Sequence, residues 1–198
     1  MRKMFTVKIN GEEKQYPQGA TYEDVANDYQ KEYDDLIALA ARDGKIRELF
    51  KKLTRDCEIT FFTLKDDVGH KTYVRSATML FLKAVFDVFG RDAVQSCRVE
   101  FAIGNGSYIS PKGQFAATKE NAEKIRNRMQ ELVKSKTPFL KRSYSLDNAM
   151  ELFHAEGMKD KEKLFRYRRG SFVNIYEMDG YYDYYYGYML PNAGYVKW

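Results

Sequence analysis

The segment FTVKINGEEKQYPQGATYEDVANDYQ, residues 5–30, constrains this chain more tightly than any other, because it specifies two strands, the turn between them and a capped helix. Phe5, Val7 and Ile9 alternate with polar residues at the strand period of two. Asn10-Gly11 is a dipeptide that accepts positive φ at both positions of a two-residue hairpin turn, so the chain returns through Glu13 to Tyr16. Pro17 and Gly19 close the second strand. Thr21 is then placed to cap a helix over residues 22–29. Its hydroxyl accepts an otherwise orphaned amide hydrogen, Glu23 and Asp24 meet the positive end of the helix dipole, and Val25 and Tyr29 share a face.

A hairpin followed by a helix lying across it begins a β-grasp, which needs further strands to complete its sheet. The apolar run 36–41 ends at Asp43-Gly44, a second hairpin signal, and 57–62 alternates with strand period. Residues 46–50 fit a strand or a turn of helix. A hydrophobic content of 44% over 198 residues is enough for one or two domains with their own cores. No apolar run approaches the ~20 residues of a transmembrane helix, and Met1-Arg2-Lys3-Met4 leads into a strand without a signal-peptide core. A cytoplasmic protein with no membrane contact is expected. Cys57 and Cys97 stand apart with no CxxC spacing, which argues against a disulfide framework or a thiolate zinc site.

The polar stretch 64–71 reads as a linker or hairpin tip, dividing the chain into domains 1–64 and 65–198. Beyond it, 72–89 reads as a helix that is apolar on nearly every side, with Arg75, Met79 and Lys83 on one face. Residues 99–103 and 108–109 are strand-like around Gly104-Asn105-Gly106. Residues 119–134 form a capped helix with Ala122, Ile125, Met129 and Leu132 inward. A further helix from Ser145 places Leu146, Ala149, Met150 and Phe153 together and stops at Gly157, and 194–198 resembles a strand. The class is α+β. The net charge of +5 matters if it is concentrated. Lys134, Lys136, Lys141 and Arg142 flank Pro138, and Lys159, Lys161, Lys163, Arg166, Arg168 and Arg169 are interleaved with Phe165 and Tyr167. These clusters read as a nucleic-acid surface or as solvated helix faces.

The segments VKINGEEKQYPQGATYEDVA and CEITFF resemble the TGS domain at the start of threonyl-tRNA synthetases. This β-grasp binding module also occurs in translation GTPases, in stringent-response enzymes and ahead of the kinase domain of certain bacterial uridine-kinase-like nucleoside kinases. EFAIGNGSYIS, TKENAEKIRNRMQEL and YRRGSFVNIY, in that order, resemble the editing domain that follows TGS in the synthetases and recurs in alanyl-type editing proteins. The resemblance implies a helix bearing HxxxH and a later strand end bearing CxxxH. Here those positions read Arg75 to Met79 and Tyr176 to Gly180, which offer neither imidazole nor thiol, so no catalytic or metal-binding residue is expected. His70 is expected in a loop and His154 near a helix end.

The run from Tyr176 to Tyr188 is dense in tyrosine. Tyr176, Tyr181 and Tyr184 are candidates for stacking on a base or nucleoside, with Arg75, Arg168 and Arg169 meeting phosphate. The alternative, which is favoured, is that strands of tyrosines fill the former catalytic cleft. The tail GYMLPNAGYVKW resembles the stretch preceding the P-loop kinase domain of those nucleoside kinases, so the natural chain is expected to continue into a kinase that binds ATP and Mg²⁺. No GxxxxGK[ST] occurs here, and no cofactor is expected in this chain. The expected function is a non-catalytic binding or regulatory module of such a kinase, taking RNA or a nucleoside or nucleotide. The alternative is an RNA-binding relative of threonyl-tRNA synthetase without editing activity. Incubation of the chain with seryl-tRNA is expected to give no hydrolysis above a buffer blank, measured by release of labelled serine.

Overall fold

A computed structural model of the protein describes residues 3–104, 106–111 and 116–197; Met1, Arg2, Asn105 of the 104–106 turn and Trp198 lie outside the described residues. The architecture is α+β, and the chain divides into two compact units, Met1–Ala77 together with Gly187–Trp198, and Thr78–Tyr186.

The first unit is built on a five-stranded sheet. Strands β1 (Met4–Ile9) and β2 (Glu12–Pro17) form the hairpin, with Asn10 and Gly11 at φ 51° and 88° in its turn. Strands β3 (Ile37–Arg42) and β4 (Lys45–Glu48) form a second hairpin across Asp43-Gly44, and β5 (Cys57–Thr63) lies between the two. The order is β2-β1-β5-β3-β4, with β5 parallel to β1 and antiparallel to β3. Residues 37–41 of β3 are all buried, as its unbroken apolar run requires. Helix α1 (Tyr22–Tyr29) starts with a capping box: the Thr21 hydroxyl accepts from the Asp24 amide at 3.1 Å, and the Asp24 carboxylate accepts from the Thr21 amide at 2.8 Å. Its Tyr22, Val25, Ala26 and Tyr29 join Phe5, Val7, Ile9, Ile59 and Phe61 in one core.

Residues 46–50, which fit strand or helix, resolve into the end of β4 and a turn, and two expectations change in this unit. The 64–71 stretch is not a linker throughout, because helix α2 (Asp67–Phe89) begins within it, so His70 is helical rather than in a loop. The polar residues there are the outer side of the first turns, where Lys71 pairs with Asp67 at 2.7 Å. Gly69 is needed at this junction, since a Cβ there would lie 1.9 Å from the Thr63 carbonyl oxygen. Finally, Ala193–Tyr195 is a short 3₁₀ turn, not a strand, and the Tyr195 hydroxyl donates to Glu23 at 2.8 Å.

The second unit contains the rest of α2, helix α3 (Arg91–Gln95), a hairpin of β6 (Cys97–Ile103) and β7 (Gly106–Pro111), and helix α4 (Lys119–Lys134). A three-stranded antiparallel sheet follows, ordered β10-β9-β8 from β8 (Leu140–Ser145), β9 (Phe172–Met178) and β10 (Tyr181–Asp183). Helices α5 (Leu146–Ala155) and α6 (Lys159–Arg166) are inserted between β8 and β9. Ser145 and Thr118 cap α5 and α4 through their hydroxyls. The buried stripe of α4 starts at Ile125, one turn later than expected, leaving Ala122 exposed. Six residues of the tyrosine run form strand, 176–178 at the end of β9 and 181–183 as β10, and the rest of the run does not. Among the described residues, no helix is long and apolar enough to cross a membrane. Thr21→Ala removes one half of the capping box and is expected to destabilise the fold by about 1 kcal/mol, read as a lower urea midpoint at unchanged slope.

Candidate functional site

A cavity of about 700 Å³ lies within the second unit, a size suited to a small-molecule ligand. Helix α2 turns Thr78 and Leu82 to it, four residues apart and therefore on one face. Val94 and Gln95 of α3 and the run Cys97–Glu100 of β6 form another wall, and Gly157–Lys161, leading into α6, forms a third. Gly157 sits at φ +69°, a backbone conformation that favours glycine, with the Gln95 side-chain amide packed over it. Tyr181, Asp183 and Tyr185 complete the lining.

Asp183 organises this end of the cavity. It is almost fully buried, and a buried carboxylate must be matched by donors. Its oxygens accept from the Tyr184 amide at 2.6 Å and the Tyr181 hydroxyl at 3.2 Å, and the Lys161 ammonium stands 3.1 Å away. Burial, reinforced by the neighbouring carboxylate, holds the Tyr181 and Tyr185 hydroxyls well above the usual phenol range, so both remain protonated donors. The Tyr185 hydroxyl lies close enough to Asp183 to feel its charge, yet it is shielded from solvent and makes no hydrogen bond of normal geometry. Burial pushes the Cys97 thiol up to about 11.

Helix α2 presents Thr78 and Leu82 to the cavity; none of Arg75, Met79, Tyr176 and Gly180 lines it, and neither His70 nor His154 does. Among the described residues, no group of three or more His, Cys, Asp or Glu side chains is arranged to hold a metal ion.

The six candidate binding residues are divided between the units, Arg75 in the first and the other five in the second. Arg75 belongs to the first unit, where its guanidinium donates to the Tyr188 carbonyl at 2.8 Å and packs so closely that a Cβ at Gly187 would lie 2.5 Å from its Cζ. It clamps backbone instead of awaiting a phosphate. Tyr176 and Tyr181 are 0% and 1% exposed, so their rings are core and present no stacking face to solvent. Tyr184 is half-buried against Phe165, edge to face at 5.1 Å, and its hydroxyl accepts from Arg168, whose guanidinium also lies over the ring. Arg169 is exposed.

The exposed aromatics lie elsewhere. Tyr167 and Phe172 are 79% and 67% exposed and flank Arg169, with Lys163 and Leu164 exposed one turn earlier on α6. Lys161 and Arg166 of the same basic cluster are spent on Asp183 and Glu162. Alternation in the sequence marked the cluster; it did not separate the buried Phe165 from the exposed Tyr167, because that depends on which side of α6 meets α5.

No protein-family model matches the chain. Among curated proteins, threonine–tRNA ligase of Thermotoga maritima is 28% identical over 192 residues, covering 95% of this chain and 29% of the ligase. The ligase of Carboxydothermus hydrogenoformans is 25% identical over 205 residues, covering 98% of the chain and 30% of the ligase. That of Syntrophotalea carbinolica is 32% identical over 162 residues, covering 81% and 25%. The chain is therefore related to one part of threonine–tRNA ligases and spans about 30% of their length.

The raised Cys97 pKa gives a pH dependence. A thiol held near 11 is almost wholly protonated at pH 8, so its reaction with a disulfide reagent is expected to be slow there and to rise about tenfold per pH unit up to pH 10. Stopped-flow absorbance on a Cys57→Ser variant reads Cys97 alone.

Proposed function

We propose that this chain is a tRNA-ligase-related binding module that does not hydrolyse aminoacyl-tRNA and that binds RNA through the exposed face of α6 and the start of β9. In this reading the sheet within residues 1–64 is a TGS-like β-grasp, supported by its order β2-β1-β5-β3-β4, its parallel β1–β5 pair and its single covering helix. The part from 65 onward is editing-like, supported by the similarity to threonine–tRNA ligases along nearly the whole chain. The lining of its cavity carries no imidazole, the group that the resemblance implies for hydrolysis, which supports the absence of that activity.

The observation that carries the RNA assignment is the exposure of Tyr167 and Phe172 beside Lys163 and Arg169 on a chain similar to tRNA ligases. Exposed rings give unpaired bases a face to stack on, and the cations track the phosphates. A nucleoside-kinase parent, with its ATP and Mg²⁺, has no support in the relatives above, all three of which are ligases, and forms no part of this proposal.

Fluorescence anisotropy of labelled tRNA titrated with the chain is expected to show saturable binding whose log K falls with log salt by about 0.7–0.9 per phosphate contacted. The triple variant Lys163→Glu, Tyr167→Ala, Arg169→Glu is expected to weaken binding at least tenfold. No binding at low salt, or an unchanged affinity in the variant, refutes the proposal.

A further inference from the structure

The hairpin of the second unit is a sheet of two strands, β6 and β7, which among the described residues pair only with each other. A two-stranded ribbon is marginal in water unless a further strand, a helix or another body covers one of its faces. The register sets Phe101 opposite Tyr108, Ile103 opposite Gly106 and Arg98 opposite Ser110, so Phe101, Ile103, Tyr108 and Arg98 share one face. On that face Phe101, Ile103 and Tyr108 are 58%, 59% and 48% exposed, and the two rings stack at 5.2 Å. Side chains of this size leave roughly 300 Å² of contiguous apolar surface in water, the scale at which the largest patch of a monomer is often functional. Elsewhere the chain guards its sheet edges. Strand β2 carries Glu12, Glu13 and Lys14 and ends at Pro17, and β8 carries Lys141 and Arg142, whereas β7 has no charged residue.

The flanks of this face select its partner. The register slips between Val99 and Phe101, leaving Glu100 without an opposite residue, and such a bulge twists an edge away from simple strand addition. Contact is therefore made by the face. Beside the rings stand one cation, Arg98, and one anion, Glu100, both exposed and neither ion-paired with another described residue. A polyanion such as RNA gains from Arg98 and is repelled by Glu100, and a basic partner meets the reverse. A second copy of this chain, turned by a two-fold axis, satisfies both. In such a contact residue i meets j and j meets i, so each Arg98 lies against Glu100 of the second copy while apolar face packs on apolar face. The two faces with their flanking charges bury about 1,000 Å² in total, the lower end of specific interfaces, which fits a weak dimer.

We infer that the β6–β7 hairpin is a self-association surface, through which two copies of this chain form a two-fold dimer on Phe101, Ile103 and Tyr108. The inference goes beyond the RNA reading and uses none of Lys163, Tyr167, Arg169 or Phe172, so either can fail alone. The test is sedimentation equilibrium of the full chain from about 1 µM to about 500 µM, the range in which an interface of this size associates. A concentration-dependent monomer–dimer equilibrium is expected. Phe101→Ser, at an exposed position, is expected to weaken dimerisation at least tenfold with an unchanged circular dichroism spectrum. Arg98→Glu and Glu100→Arg each set like charges against one another and are each expected to weaken it about tenfold. An equimolar mixture of those two single variants opposes unlike charges again at both contacts, and is expected to dimerise as the unaltered chain does. A chain that stays monomeric throughout the range overturns the inference, as do a dimer that survives Phe101→Ser and a mixture that associates as weakly as its components.

Discussion

Parallel pairing of β1 with β5, Val7 opposite Cys57, is the constraint around which the first unit is organised. Parallel neighbours cannot be joined by a tight turn, so everything from β2 to β4 lies between β1 and β5 in the chain. Helix α1 carries the chain from β2 across one face to β3, and its buried face is the reason the inward residues of β1 and β5 form a core instead of a wetted surface. The capping box fixes where that helix begins, and the isolated bridge between Thr21 and Lys52 ties its entry to the segment leading into β5. The hairpin of β3 and β4 then completes the ladder on the far side of β5, which leaves β3 enclosed and β2 and β4 as edges.

In the second unit, tyrosines clustered in one segment serve both the core and its polar contacts. Tyr176 and Tyr181 fill the core with their rings, while hydroxyls toward the end of the run are handed to polar partners, Tyr181 to Asp183 and Tyr184 to Arg168. This explains how a segment so rich in one amphipathic residue folds without strict alternation. Each ring satisfies the apolar surroundings, and each hydroxyl needs only one neighbour. Asp183 is the neighbour that makes the arrangement coherent, because it accepts from backbone and side chain and is balanced by Lys161.

The first unit was legible because its information is local. Asn10-Gly11, Asp43-Gly44 and the cap at Thr21 act over a few residues, and the strand periods of 5–9 and 57–62 are undisturbed. Where reading failed, the deciding physics was tertiary. The first turns of α2 are polar because one side faces water, and only the approach to Thr63 identifies Gly69 as part of a helix rather than of a loop. Strand β8 is an edge strand with little apolar signal, and α6 buries a single large residue, Phe165, so neither announced itself. The cavity was not legible: a spacing of four names a helical face, yet nothing in the sequence says which face of α2 meets an open space. Likewise, the tyrosines gave no sign of which hydroxyl would be left over.

The first unit is discontinuous in sequence: residues 187–197 return to it, with Met189 and Leu190 buried, the Leu190 amide donating to Ser76, and Tyr195 packed against the sheet. During synthesis, the sheet and α1 emerge first, but the segment that finishes their packing leaves the ribosome only after the whole second unit has been made. Of the two units, the one begun first is thus completed last. For that interval, the surfaces later covered by 187–197 stand open, and the second unit, whose contacts are contiguous in sequence, has time to fold before the ends close. The same topology makes the second unit an insertion within the first, so that its removal at 77 and 187 is a matter of joining two positions rather than truncating a terminus.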